Sequence, residues 1–153
     1  MTRVLITGMS GTGKSALLNE LAARGYRVVD TDYGDYYETV DGESLWRADR
    51  IDALLATAPD NGDLLFIQGT TRNQVDFYPH FDHIILLSAP ADVLVERLRT
   101  RTSNPYGKNP EELAEVLDYL ETVEPLLRED ATMEVVTTIP VAQVADAVLD
   151  HVR

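Results

Sequence analysis

The sequence contains no cysteine. That excludes a disulfide framework, a thiolate metal site and a cysteine nucleophile. Cations are also scarce, with 13 Lys and Arg against 26 Asp and Glu and a formal charge of -13. A surface that binds polyanions nonspecifically would work against that long-range repulsion, so nucleic acid is not expected as a main partner. Long apolar runs are missing too. Nothing approaches the roughly 18 residues of a membrane span, and the apolar run near the N-terminus is too short for a signal peptide. A cytoplasmic protein that does not engage the membrane is expected. No internal repeat or low-complexity tract stands out. What is present has globular proportions, with 44% apolar and 25% charged residues. The 153 residues fit one compact domain, residues 1–153, burying roughly 70% of the unfolded chain's surface.

Short apolar runs recur at Val4–Ile6, Val28–Val29, Leu64–Ile67, Ile84–Leu87 and Val135–Val136, and these read as strands. Helical patterns alternate with them. Ala16, Leu17, Leu18, Leu21 and Ala22 form one apolar stripe that stops at Gly25. Further helices are expected over about Ser44–Ala56, after Pro90, from Asn109-Pro110 to about Arg128, and after Pro140. Strands alternating with helices imply a parallel sheet, because parallel neighbours need long right-handed crossovers. The expected fold class is α/β, a three-layer α/β/α sandwich. One long polar insertion, about residues 100–109, interrupts the pattern.

Gly8-Met9-Ser10-Gly11-Thr12-Gly13-Lys14-Ser15 fits the phosphate-loop pattern G-x-x-x-x-G-K-[ST], and it lies after a strand and at the start of a helix. The glycines let the backbone N–H groups of this stretch, Ser10, Gly11, Thr12 and Gly13 among them, turn toward phosphates. The helix N-terminus adds partial positive charge, Lys14 reaches the outer phosphates, and Ser15 can ligate magnesium. A nucleoside triphosphate is therefore the expected ligand. The same loop serves motors, switches, hydrolases and kinases, so it does not decide the reaction.

The second strand ends in Asp30-Thr31-Asp32, at the sheet edge where open α/β folds bind ligands. One carboxylate there can hold a magnesium-bound water and the other can accept a proton from a substrate hydroxyl. Gln68 closes the third strand, where many phosphate-loop proteins carry an aspartate. Because Gln brings no charge, the anionic metal contact is assigned to Asp30. Arg72 can fork onto an anionic group of the acceptor. Arg97 and Arg101, four residues apart, are expected on one helix face as a phosphate clamp, with the polar insertion after them as a lid. Tyr33, Tyr36, Tyr37, Trp46, Arg47 and Arg50 crowd one segment as pocket-lining candidates.

These residues together resemble the small P-loop kinases of the adenylate kinase, shikimate kinase and gluconate kinase-like group, AAA-type small ATP-binding proteins, over essentially the whole chain. Asp30-x-Asp32 resembles the Asp-x-Asp pair of shikimate-kinase-like enzymes. Gln68-Gly69-Thr70-Thr71-Arg72 is similar to the Asp-Gly-x-x-Arg stretch of nucleoside monophosphate kinases, matching at Gly69 and Arg72. Glu96-Arg97-Leu98 with Arg101 resembles a lid entrance, and Glu124-Pro125-Leu126-Leu127-Arg128-Glu129 the stretch ahead of the last strand. The resemblance implies the P-loop NTPase fold with five parallel strands in the order 2-3-1-4-5, ATP and Mg2+ as cofactors, and adenine contacts near Arg101 and Thr138–Pro140. It also implies an acceptor site containing Asp32, Arg47 and Arg72. Two departures, Gly69-Thr70-Thr71 in place of a triple glycine and Val123 in place of an arginine, argue against shikimate. The expected activity is transfer of the ATP γ-phosphate to a small-molecule acceptor of nucleoside, nucleotide or sugar-acid type. Lys14, Asp32, Arg97 and Arg101 would be catalytic, Ser15 and Asp30 would hold the metal, and Pro140 would flank the nucleotide, in a monomer or homodimer. The alternative is an ATPase or switch acting through a protein partner.

Overall fold

The computed structural model describes residues 2–56, 63–102 and 105–153. Its main sheet contains β1 (Thr2–Thr7), β2 (Arg27–Asp30), β5 (Leu64–Gln68), β6 (His83–Ser88) and β7 (Met133–Val136). These strands pair in parallel in the order β2-β5-β1-β6-β7. Counted within the sheet alone, that order is 2-3-1-4-5, as the resemblance implies. Outside the sheet, β3 (Tyr37–Val40) and β4 (Glu43–Trp46) form a separate antiparallel pair. The helices are α1 (Lys14–Ala23), α2 (Ala48–Ala56), α3 (Ala91–Thr100), α4 (Pro110–Thr122), α5 (Glu124–Asp130) and α6 (Val141–Val152), with a 3-10 helix over Arg72–His80.

Period-two alternation along β1 sends its side chains to opposite faces. Val4 and Ile6 pack with Leu17 and Leu21 of α1 and Val144 and Val148 of α6. Leu5 points the other way, into a cluster with Trp46, Ile51 of α2 and Phe77. The central strands are buried on both faces, which is why they read as continuous apolar runs. β1 lies between β5 and β6, so connections leave it in both directions. The crevice beyond its C-terminal end is the topological switch point of the sheet.

Three expectations are corrected here. Glu43–Trp46 is a strand, and the helix expected from Ser44 begins at Ala48. Asp41 and Gly42 both have positive φ, 52° and 77°, the two-residue turn that matches the twist of a hairpin. Next, the helix expected from Asn109-Pro110 to Arg128 divides at Val123 into α4 and α5, because Pro125 has no N–H to give to the preceding turn. Third, α3 ends at Thr100 and Arg101 is already extended, with φ -67° and ψ 148°, so Arg97 and Arg101 do not share one helix face. Ser103 and Asn104 of the proposed lid lie outside the described residues. Around them, Arg101 Nη2 donates to the Tyr106 carbonyl (2.8 Å) and Lys108 Nζ to the Arg99 carbonyl (2.9 Å).

Candidate active site

The phosphate loop runs from the end of β1 into α1, as its spacing requires. Gly8, at φ 153°, has no room for a side chain, since a Cβ would collide with the Leu87 carbonyl and the Thr12 hydroxyl. Thr70 brackets this residue: its Oγ1 donates to the Gly8 carbonyl (2.7 Å) and accepts the Gly8 N–H (3.2 Å). Gly13 caps α1 in the left-handed region, at φ 98°, which a side chain would disfavour. Lys14 folds back over the loop and donates to the carbonyls of Gly8 (2.7 Å) and Met9 (3.1 Å). Burial lowers its pKa to about 8, with the nearby Arg101 charge acting in the same direction and Asp32 and Asp30 opposing.

The loop and the end of β2 meet through Ser15, whose Oγ lies 3.4 Å from Asp30 Oδ2. Gln68, 1% exposed, ends β5 beside them, in register with Asp30. Its single NH2 group donates to Asp30 Oδ1 (2.5 Å) and to Asp32 Oδ2 (3.2 Å). The Asp32 N–H also donates to Asp30 Oδ1 (3.0 Å). The two carboxylates are thus tied together by an amide, a role that its residue type does not announce in the sequence. Gln68 Oε1 is buried without a hydrogen-bond partner. Ser15 and Asp30 are hard oxygen donors at one opening, and this donor set fits Mg2+ held by one carboxylate together with substrate phosphates and water. Among the described residues there is no group of three or more His, Asp and Glu suited to hold a metal alone, and such a site does not need one.

Arg97 reaches the loop by hydrogen bonds, and Arg101 acts on it through charge. Arg97 Nη1 donates to the Gly11 carbonyl and to Thr137 Oγ1, both at 3.0 Å, and Nη2 donates to the Thr137 carbonyl. These donors go to a loop carbonyl and to Thr137, so Arg97 braces the loop. Thr137, buried after β7, completes the brace by donating to the Thr12 carbonyl (2.7 Å). Arg101 lies close enough to lower the Lys14 pKa. Pro140 is exposed at the N-cap of α6, three residues beyond Thr137.

On the other side of the carboxylates, Thr31 Oγ1 donates to the Gln68 carbonyl (2.8 Å) and accepts from Trp46 Nε1 (3.1 Å). Gly69 lets Trp46 come this close, because a Cβ there would lie 2.5 Å from the indole. Asn73 pairs with the Trp46 backbone through both its amide atoms, each at 3.0 Å. The two arginines expected to bind the acceptor each meet carboxylates of this chain. Arg72 is 69% exposed and pairs with Glu43 at 2.7 Å. Arg47 pairs with Asp35 (2.7 Å) and Asp49 (3.1 Å). Sequence reading missed Thr70, Thr137 and the bridging amide of Gln68. The close match of Gln68 to the position of an aspartate was a signal for the last; nothing local marks the two threonines.

Two surface cavities of about 590 and 670 Å3 involve Thr2, Arg27 and Leu64, and Arg3, Leu55 and Asp82. Both lie at the N-terminal edge of the strands, away from the loop.

The fold has many solved counterparts. A shikimate kinase from Acinetobacter baumannii in complex with shikimate is 19% identical, with a TM-score of 0.69, and the match covers 99% of this chain and 92% of that one. A shikimate kinase from Bacteroides thetaiotaomicron is 17% identical, with a TM-score of 0.65 and coverage of 98% and 97%. A gluconokinase from Sinorhizobium meliloti 1021 is 19% identical, with a TM-score of 0.62 and coverage of 99% and 91%. No functionally curated protein matches the sequence. These likenesses show a shared fold. The model of a family described as AAA domain matches residues 4–118, a span that holds the phosphate loop, both aspartates, Gln68, Arg97 and Arg101, and the chain belongs to that family.

Proposed function

We propose that this chain is an ATP-dependent phosphotransferase that moves the γ-phosphate to the hydroxyl of a small molecule. The observation that carries the reading is the carboxylate pair: Gln68 holds Asp30 and Asp32 together while Ser15 joins Asp30 to the phosphate loop. A hydrolase needs a positioned water. A kinase needs a metal-side carboxylate and an acceptor-side carboxylate next to each other, and the adjacency of Asp30 and Asp32 supports that reading.

In this reading the loop's backbone N–H groups cradle the phosphates, and Lys14 turns from the carbonyls of Gly8 and Met9 to the transferring group. Ser15 and Asp30 would hold Mg2+, which when bound supplies charge neutralisation on the phosphate oxygens. Asp32 orients the acceptor hydroxyl and takes its proton late in transfer. The hydroxyl oxygen forms a bond to the γ-phosphorus as the bond to the β–γ bridging oxygen breaks. ADP leaves with that electron pair, and the proton passes from Asp32 to water. Arg101 faces the developing charge, and Arg97 keeps the loop in shape. The insertion at about 100–109 serves as a lid that excludes competing water.

The test is ADP release with ATP and magnesium across nucleosides, nucleotides, sugars and sugar acids. Asp32→Asn keeps the shape and removes the basicity, so turnover should fall ~10² to 10⁴-fold with ATP affinity nearly intact. A change in the ATP constant alone would count against this assignment. One observation favours the ATPase or switch reading, the neutral Gln68 at the end of β5. ATP hydrolysis that no acceptor stimulates would decide for it.

A further inference from the structure

The acceptor side of the site gathers cations that are already matched. Arg47, immediately after Trp46, is bound by Asp35 and Asp49. Arg72, at the start of the 3-10 helix, is bound by Glu43 of the hairpin. Arg50 donates to the Gly34 carbonyl at 2.8 Å and lies over the Tyr36 ring, 5.5 Å from its centroid. Each guanidinium therefore meets a carboxylate, a carbonyl or an aromatic face belonging to this same segment. Apart from Lys14 on the phosphate-loop side, whose charge the two aspartates feel, the groups beside Asp30 and Asp32 are neutral. Thr31, Trp46 Nε1 and the Tyr37 hydroxyl, which lies 3.4 Å from Thr31 Oγ1, are examples. Both aspartates add their field to Tyr37, whose pKa is raised chiefly by burial.

An acceptor carrying a phosphate or carboxylate would bring a further anion to two aspartates in a chain of net charge -13. It would also have to displace Glu43, or Asp35 and Asp49, from their arginines. An acceptor without an anionic group meets neither obstacle, and its hydroxyl can donate to the exposed Asp32 carboxylate. We infer that the acceptor is a non-anionic alcohol, uncharged or amine-bearing, and that nucleotides and sugar acids are disfavoured. The inference rests on the phosphotransferase reading and narrows it to a substrate class.

Matched pairs test it, with ADP release measured under ATP and magnesium: a nucleoside against its 5′-monophosphate, and a hexose and its 2-amino derivative against the corresponding hexonate. The member without an anion should have the higher kcat/KM in the pair that is turned over, by about tenfold or more. Glu43→Gln, which releases Arg72, should move the ratio at least threefold toward the anionic member while leaving the neutral one unchanged. An anionic member equal to or better than its neutral counterpart would overturn the inference and leave the phosphotransferase reading standing. A ratio that Glu43→Gln does not move would overturn the ion-pair explanation. ATP binding without ADP release for any member would overturn the phosphotransferase reading itself, and the inference with it.

Discussion

Lys14 is held by two loop carbonyls and half-buried, with its pKa brought down to about 8. A cation kept in so dry a place interacts strongly with phosphate when it turns outward, because little solvent competes. Lys14→Ala should therefore lose at least ~10²-fold in turnover while the far-ultraviolet circular dichroism stays native. Near-normal turnover in the folded variant would sink the kinase reading. Gln68 is the other residue on which the site depends. Gln68→Glu keeps the shape but replaces the donating NH2 by an oxygen, placing a third anion against Asp30 and Asp32. Destabilisation of about 1–3 kcal/mol is expected from denaturant titration, with lower turnover as well. A variant as stable and active as the parent would mean that the bridge does not hold the pair.

At the scale of elements, the hairpin and β5 meet through one close approach. Gly69→Ala would put a Cβ 2.6 Å from Thr31 Oγ1 and 2.5 Å from Trp46, and Trp46, 1% exposed and edge-on to Phe77, has nowhere to go. Overpacking of this kind costs about 1–3 kcal/mol, readable as a lower denaturant midpoint. On the opposite flank, Arg128 of α5 joins Glu124 (3.0 Å) to Glu134 of β7 (2.7 Å). The Arg128 hydrogen bond lowers the Glu134 pKa most; burial opposes it, and the Ser88 hydroxyl assists. A carboxyl depressed in the folded state stabilises above its unfolded pKa, and that stabilisation is lost as pH falls through the folded value. Glu134→Gln should therefore melt below the parent at pH 6 to 8, with the difference closing as pH falls below about 4. A difference that persists unchanged at low pH would mean that packing, not charge, joins these elements.

For the whole molecule, the charge of -13 gives self-repulsion that opposes compaction. Raising salt from roughly 0.02 to 0.5 M shortens the Debye length from about 20 Å to about 4 Å, so the melting temperature should rise with salt. A fall would show that local ion pairs outweigh the net repulsion. No helix among the described residues is long and apolar enough to cross a membrane.

The sheet and the phosphate loop were legible in the sequence because their causes are local. Val4–Ile6 and Ile84–Leu87 are continuous apolar runs because both faces of those strands are covered, and the loop's glycines and lysine stand at fixed spacing along one turn. The Asp41-Gly42 turn was local too, and the helical reading of Ser44 overlooked it. What lay beyond the sequence depends on partners distant along the chain. Arg97 and Thr137 are 40 residues apart, yet they close on the loop's backbone together, and only packing of β7 against β6 brings them there. Gln68 and Asp30 are 38 residues apart and become neighbours because β2 and β5 pair in register. The arginines show the same division: their charge was evident from composition, but that an anion is already bound to Arg72 follows from how the hairpin folds onto the 3-10 helix, and Arg47 meets Asp35 only where the segment ahead of β3 closes on it. Residue type determined which chemistry the chain carries, and tertiary contact decided which groups are left to perform it, since hydrogen bonds and ion pairs form only between groups that the fold brings within about 3 Å.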